Sequence, residues 1–342
     1  MIRNPPFPGM IAAFGLFSCL SAPVVHAESL GARIHSLYGE FSANTSPEVG
    51  MPPLESFELV ARTVCKLREE YATASKIAWV DYSLPSDQKR LILFDFDSRR
   101  VLARTFATHG SGSAGHLHFF EEDPSGGIPY SRRKVLGFGS ISETRFFSLE
   151  PGSNQSSLGL ALADPSSYVS PLWGDPALRM SGLEAGLNST LRRRGVVFHA
   201  FSYHEDQVLR ARASPLSEGC LMLPGVEEAR KWIDELKNAF VVMFHERLIS
   251  KNLNEESHEQ DLEVHQVLRL KVRERLREMA LDLGWSERLL AERTEAYERK
   301  LEREWLNRAN ETYRLMRKGS RFVGAQLRDE TRCFPEVTGR HI

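Results

Sequence analysis

Short apolar runs separated by turn residues dominate the middle of the chain. Gly, Pro, Asp and Ser interrupt them, as at 85–87 and 97–98. Runs of this length with such turns are typical of strands, and their spacing predicts a mainly β sandwich or barrel. The predicted strands are 77–82, 90–96, 101–108, 133–142, 157–163, 195–201 and 239–244.

Helical periodicity is found on either side of these runs. Apolar residues recur near the 3.6-residue period over 55–75 and again over 224–238, so each segment is predicted to be an amphipathic helix. Residues 28–54 are rich in Ser, Gly and Pro and are predicted to form a linker.

The pattern of charged and apolar residues changes after residue 250. Charged residues of both signs alternate with two helical stripes of apolar residues, Leu268–Leu283 and Tyr297–Met316, separated by a Gly284-Trp285-Ser286 turn. We therefore expect two domains, a β domain at 76–249 and a charged helical extension at 250–342. A helical hairpin packed on the β domain is the preferred interpretation, and a module that binds a protein partner through these helices is the alternative.

The charge balance narrows the function. The 342 residues carry 44 Lys or Arg and 45 Asp or Glu, a net charge of −1. Binding to nucleic acid through a global positive charge is therefore not expected. No apolar run long enough to cross a membrane follows residue 30.

The first residues have the pattern of a secretory signal. Arg3 precedes an apolar run over 10–20, and small residues end at Ala27, so we expect residues 1–27 to be removed and the protein to be exported to the periplasm or cell wall. A single membrane anchor and a lipoprotein with Cys19 lipidated are the alternatives.

Removing Cys19 leaves Cys65, Cys220 and Cys333, an odd number for an exported protein. A Cys65–Cys333 disulfide would leave Cys220 as a free thiol.

Two motifs are only weak evidence for a binding site. Gly110–Gly115 matches the dinucleotide fingerprint, but no helix follows it to hold a pyrophosphate. His116 and His118 alternate along a strand and could ligate zinc together with Cys220 or His204, although this spacing is a weak signal.

His199 and Cys220 form the third candidate. A thiol is a strong nucleophile only as thiolate, and a nearby histidine can take its proton. Gly219 allows a sharp turn that directs amide N–H groups toward a developing oxyanion. From spacing alone, a buried structural cysteine is as good an interpretation.

The stretch from His199 to Cys220 resembles the His…Ser-His-Gly-Cys signature of the L,D-transpeptidase (YkuD-like) catalytic domain. It is most similar to the murein branch, in which another residue precedes Gly-Cys. Glu218 stands at that position here, Ala200 replaces the usual Gly after the His, and Glu150 replaces a Thr. Further pieces of the branch occur in order within 77–245, namely Val80–Ser86, Thr108–Gly110, Phe147–Gly159, Leu183-Glu184 and Tyr203.

The resemblance implies a domain of β-sandwich or mixed-sheet type and a cysteine mechanism. Cys220 would attack the carbonyl between the third-position diamino acid and D-Ala of a peptidoglycan tetrapeptide stem, and His199 would serve as base. The amides of Gly219 and Cys220 would hold the oxyanion, and Ser217 would shape the loop.

By the same resemblance, His109 and Gly110 line the site and Tyr203 contacts substrate. No metal or cofactor is required, and the partners are peptidoglycan stem peptides. Transpeptidation to 3–3 crosslinks is the leading expectation. An L,D-carboxypeptidase that trims tetrapeptides, and a non-catalytic wall-associated scaffold, are the rivals.

Overall fold

A computed structural model describes residues 29–114, 117–118, 135–136, 142–172, 174–249, parts of 265–281, and 284–323. The predicted signal segment 1–27 and most of the predicted strand 133–142 lie outside these residues. Every other predicted strand overlaps an observed one. The strands are β1 Lys76–Asp81, β2 Leu91–Asp95, β3 Arg100–Thr105, β4 His109–Gly110, β5 Leu117–His118, β6 Val135–Leu136, β7 Gly159–Ala163, β8 Tyr168–Val169, β9 Pro176–Gly182, β10 Val197–Phe201, β11 Leu216–Ser217, β12 Leu221–Pro224 and β13 Phe240–Phe244.

Nine of the described strands form one mixed sheet. Its order is β12-β10-β9-β7-β13-β1-β2-β3, with β8 added beside β9. The pairs β1–β13 and β10–β12 are parallel, and the other pairs in the sheet are antiparallel. Two short ladders, β4–β11 and β5–β6, stand apart from it. A mainly β domain with mixed pairing is therefore confirmed.

Helices occur before, between and after the strands along the chain. They are α1 Leu30–Asn44, α2 Leu54–Glu70, α3 Glu205–Ala211, α4 Val226–Leu236 and α5 Glu287–Lys318. A 3₁₀ turn spans Glu246–Leu248. Among the described residues, no helix is both long and apolar enough to span a membrane.

Both faces of the sheet are buried. In β13, Val241 and Met243 join one core with Trp232 of α4, whereas Val242 on the opposite face packs in a second core with Phe57 of α2. A strand that is covered on both sides needs apolar residues at consecutive positions. This double coverage explains why residues 239–244 are a continuous apolar run rather than an alternating one.

The prediction of a linker over 28–54 is wrong for residues 30–44. These form α1, which begins after Ser29, whose hydroxyl accepts a hydrogen bond from the Ala32 amide at 3.3 Å. Leu30, Ile34, Leu37 and Phe41 recur at helical spacing and are buried in the core beside α2. Burial of this stripe outweighs the low helix propensity of the glycines in the segment.

Among the described residues, one cysteine is disulfide-bonded and one is free, in agreement with the sequence. Cys65 is buried on α2 and disulfide-bonded, and Cys220 is the free cysteine among the described residues. The partner of Cys65 lies outside the described residues, so its pairing with Cys333 stays a prediction.

The extension packs on the β domain through α5. Leu315 and Met316 at the end of α5 are buried in the same core as α4, and the Trp305 ring meets the Phe146 ring edge-on at 4.7 Å. Beyond α5, Ser320 and the Arg321 amide donate hydrogen bonds to the buried carboxylate of Glu184. The second apolar stripe of the extension is therefore core, as predicted.

Replacing Met316 tests whether the end of α5 belongs to that core. Met316→Ala should lower the free energy of unfolding by about 2–4 kcal/mol, because it leaves a cavity at a buried position. Leu306→Ala on the exposed face of the same helix should cost less than about 0.5 kcal/mol. Urea denaturation of both variants gives the comparison, and equal losses would place the end of α5 outside the core.

Candidate active site

The parallel pairing of β10 with β12 decides which side chains share a face. Phe198 is paired with Leu221, and both lie in the core. His199 is paired with Met222, so these two point to the opposite side of the sheet. Cys220 lies one residue before β12, and continuing the alternation of that strand places it on the same side as His199. The register therefore favours a common face for the two predicted reactive side chains.

The turn that presents Cys220 is held by hydroxyl groups. The Ser217 hydroxyl donates to the Cys220 carbonyl at 2.7 Å, and the Thr108 hydroxyl donates to the same carbonyl at 3.1 Å. Gly219 has φ +112°, and a Cβ there would stand 2.8 Å from the Gln155 carbonyl oxygen. Only glycine fits this backbone conformation and this approach. Ser217 therefore shapes the turn.

The expected oxyanion hole needs a correction at Gly219. Its amide N–H donates to the Ser217 hydroxyl oxygen at 3.1 Å. In this state the Gly219 amide closes the turn, so it is not directed at a substrate carbonyl. It can serve an oxyanion only by exchanging the hydroxyl for the substrate oxygen.

His199 has the protonation state of a base. Its Nδ1 lies 2.8 Å from the Ala200 carbonyl oxygen. A carbonyl can only accept, so Nδ1 carries the proton and, in the neutral ring, Nε2 keeps the lone pair. Burial lowers the pKa of His199, opposed by the Ala200 carbonyl and the Asp175 carboxylate. The ring is thus neutral near pH 7 and can take a proton at Nε2.

The Cys220 thiol is poised in its protonated form. Burial raises the pKa of Cys220, and the carboxylate of Glu218 raises it further. A hydrogen bond with the Val197 backbone and the positive charge of Arg194 act in the opposite direction on this pKa. The thiol also lies 3.7 Å from the Gly195 carbonyl oxygen. The thiol of Cys220 and the imidazole of His199 are therefore both neutral in the resting state.

His109 and Gly110 do not line the site as expected, because both are buried beneath it. The fully buried guanidinium of Arg90 donates to His109 Nδ1 at 2.8 Å, which leaves the ring proton of a neutral His109 on Nε2. Gly110 pairs with Ser217, and a Cβ at Gly110 would lie 2.2 Å from the Asn154 carbonyl oxygen. These residues support the Ser217 turn from below.

Tyr203 is likewise placed as a support rather than as a substrate contact. Its ring is buried with Phe106, Val208 and Met222, and its hydroxyl donates to the Met222 carbonyl at 3.3 Å. Burial raises the pKa of Tyr203. The side chain therefore holds β12 from the same side of the sheet as His199, because Met222 lies on that side.

Sequence reasoning missed Arg194. Its guanidinium donates to the Ser148 carbonyl at 2.5 Å, to the Ser157 hydroxyl at 2.7 Å and to the Gln155 carbonyl. Burial lowers the pKa of Arg194, and its charge favours the thiolate of Cys220. Nothing in the run Arg192–Arg194 singles out its last member, because a run of like charges is usually a solvated face.

A polar cavity of about 700 Å³ opens at the ends of β1 and β13. It borders Tyr82, whose hydroxyl hydrogen-bonds Ser156 and whose pKa is raised by burial and, among weaker effects, by Cys220. The remaining wall carries charges of both signs, as it includes Glu143, Arg212 and Arg247. Neither Cys220 nor His199 lines this cavity.

Comparison with protein families gives an independent result. The model of the L,D-transpeptidase catalytic domain matches residues 52–126 and 134–245, a span that contains both Cys220 and His199. No curated protein and no solved structure matches the chain significantly. The family match covers more than half of the chain and ends before α5. The chain belongs to the L,D-transpeptidase catalytic domain family.

Proposed function

We propose that this protein is a cysteine-dependent L,D-transpeptidase that joins peptidoglycan stem peptides by 3–3 crosslinks. The observation that carries the proposal is the free thiol of Cys220, which lies directly before β12 and against the start of β10, the strand that carries His199, with the Nδ1 proton of His199 held by the Ala200 carbonyl. Nε2 is then the atom that accepts a proton from the thiol. The family match supports peptidoglycan as the substrate class.

The reaction proceeds in two acyl transfers. In the first, the Cys220 sulfur bonds to the carbonyl carbon of the third-position diamino acid, while the thiol proton passes to His199 Nε2. The C–N bond to D-Ala then breaks, the departing amine takes the proton from His199, and a thioester remains. In the second, the side-chain amine of another stem attacks the thioester carbonyl, the C–S bond breaks as the new amide bond forms, and the proton lost by the amine passes through His199 to the Cys220 sulfur.

Charge stabilisation comes from the turn that precedes β12. The oxyanion forms beside the amides of Gly219 and Cys220, and the Gly219 N–H leaves the Ser217 hydroxyl to reach it. The Cys220 carbonyl stays fixed by Ser217 and Thr108 throughout. The turn therefore needs to change only one hydrogen bond during catalysis.

Export is part of the proposal. The charged, apolar and small-residue sections of 1–27 have the pattern of a secretory signal, and Cys65 is disulfide-bonded. Disulfides persist in oxidising compartments, where peptidoglycan also lies. We place the protein in the periplasm or at the cell wall.

Removal of the thiol tests the nucleophile. Cys220→Ala should abolish product formation from a disaccharide-tetrapeptide, because Cys220 is the only free thiol in the part of the chain that the structure describes and a thioester requires one. The unmodified protein should give a crosslinked dimer and free D-Ala, analysed by liquid chromatography and mass spectrometry. Tripeptide without dimer would instead support the L,D-carboxypeptidase, and undiminished turnover by Cys220→Ala would refute both activities.

The charges beside Cys220 should set its ionisation. The rate of Cys220 alkylation by iodoacetamide should rise with pH, with a midpoint above the ordinary value for a free thiol, because burial and Glu218 raise this pKa. Glu218→Gln should move the midpoint down, and Arg194→Gln should move it up.

Peptide mapping at Cys220 follows each rate. Exposed Glu228→Gln on α4 serves as the control and should leave the midpoint unchanged. Shifts in the reverse directions would contradict the assigned roles of the two charges. A Cys220 that resists alkylation in the folded protein at every pH would favour the scaffold.

A further inference from the structure

The helix α5 lies outside the family match, and several of its contacts with the catalytic domain converge on residues 146–149. Trp305 packs on Phe146, and the Thr312 hydroxyl oxygen accepts the Phe147 amide at 2.9 Å. Arg308 reaches the Gly112 carbonyl at 3.4 Å. A helix of the extension is therefore fastened to loops of the catalytic domain.

Glu311 makes the most specific of these contacts. One oxygen of its carboxylate accepts the Ser148 hydroxyl at 2.8 Å and the Leu149 amide at 3.0 Å. Hydrogen bonds to a charged acceptor are about twice as strong as neutral ones. Glu311 also faces Arg314 at 3.9 Å on its own helix, but Arg314 is largely exposed and this pair contributes little. The carboxylate thus holds residues 148–149, and its charge also favours the cationic form of Arg194.

Residues 147–149 are joined in turn to the wall of the active site. Phe147 forms an isolated bridge with Ser156, and the Ser148 amide donates to the Ser156 carbonyl at 3.2 Å. The Ser148 carbonyl accepts from Arg194. Ser148 is therefore held by two residues. Its hydroxyl donates a hydrogen bond to Glu311, and its carbonyl accepts one from Arg194.

Arg194 completes the connection to the reactive thiol. It also donates to the Gln155 carbonyl, the same oxygen against which Gly219 is packed. A Cβ at Gly219 would lie 3.4 Å from the Arg194 guanidinium, so the cation stands beside the turn that presents Cys220. A displacement of Ser148 moves one of the acceptors that fix this cation.

We propose that Glu311 is a positioning residue for the active site. By holding Ser148 and Leu149, it fixes the acceptors of Arg194 and, through Arg194, the position of the Cys220 turn. The extension is then a working part of the catalytic unit. The catalytic consequence rests on the proposed function, whereas the effect on Cys220 reactivity does not.

Three substitutions at Glu311 separate reach from charge. Glu311→Ala removes the acceptor, Glu311→Asp keeps the charge but shortens the reach, and Glu311→Gln keeps an acceptor oxygen at full length. Glu295→Ala is the matched control, because Glu295 is an exposed residue of the same helix paired only with Arg299 among the described residues. Each protein is assayed for cooperative unfolding, for Cys220 alkylation near neutral pH, and for kcat and KM with a tetrapeptide.

Loss of the acceptor should slow alkylation and kcat together. We expect Glu311→Ala to lower both by about tenfold, since small displacements at a reacting group are costly, while the cooperative unfolding transition is retained. Alkylation slows because the Arg194 charge no longer stands at a fixed place; the other titratable groups near the thiol are Glu218, Tyr82 and His199. Glu311→Gln should stay within about threefold of the unmodified protein, because it restores the hydrogen bonds.

The outcomes that overturn the proposal are distinct. Glu311→Ala indistinguishable from Glu295→Ala, or Glu311→Gln as defective as Glu311→Ala, would refute positioning through the acceptor. If Glu311→Ala does not fold, Glu311→Asp must show the slower alkylation or the proposal fails. An unmodified protein that is alkylated at Cys220 but turns over no peptide would defeat the proposed function alone, and the alkylation comparison would still decide the role of Glu311.

Discussion

A buried guanidinium group needs hydrogen-bond acceptors from the protein, because it has lost its contacts with water. Two such groups, those of Arg90 and Arg194, organise this active site. Arg90 is fully buried and donates to the Leu84 and Ala107 carbonyls, to Thr144 and to His109. Its burial lowers its pKa to about 10. Leaving such a charge without partners is far more costly than losing an ordinary hydrogen bond, so these loops are constrained to converge on it. Arg194, partly buried, imposes the same constraint on the segment 148–157.

Between these two cations lies the turn that ends at Cys220. Its geometry depends on close approaches that only glycine permits, at Gly110 against Asn154 and at Gly219 against Gln155. The loops cannot move apart without giving up acceptors of Arg90 or Arg194. The position of the thiol is therefore a consequence of packing and of charge solvation at a distance from it.

The electrostatics describe a reaction that starts from neutral groups. The pKa of Cys220 is raised and that of His199 is lowered, both mainly by burial. In the proposed reaction, proton transfer from sulfur to Nε2 accompanies attack instead of preceding it as a stable ion pair. Arg194 limits the cost of the developing thiolate, and Glu218 increases it. This balance disfavours a free thiolate in the resting protein.

The sequence predicted six of the nine strands of the main sheet, where apolar runs lie between turn residues, and it missed β8, β9 and β12. It predicted the pair Cys220 and His199, since spacing and motif are local properties. It failed where a role depends on neighbours distant in sequence. His109 and Tyr203 match motif positions but are enclosed by Arg90 and by Met222. Arg194 and Glu311 carry no local signal, and α1 was hidden by its Ser and Gly content.

The central claim is that Cys220 carries the acyl group between two stem peptides. The most direct measurement is the mass of the protein after brief incubation with a disaccharide-tetrapeptide and an acid quench, followed by peptide mapping. The account predicts an adduct of the tetrapeptide stem without its D-Ala, joined to Cys220 as a thioester that hydroxylamine releases. Turnover without any adduct at Cys220, or an adduct mapped to another residue, would contradict it.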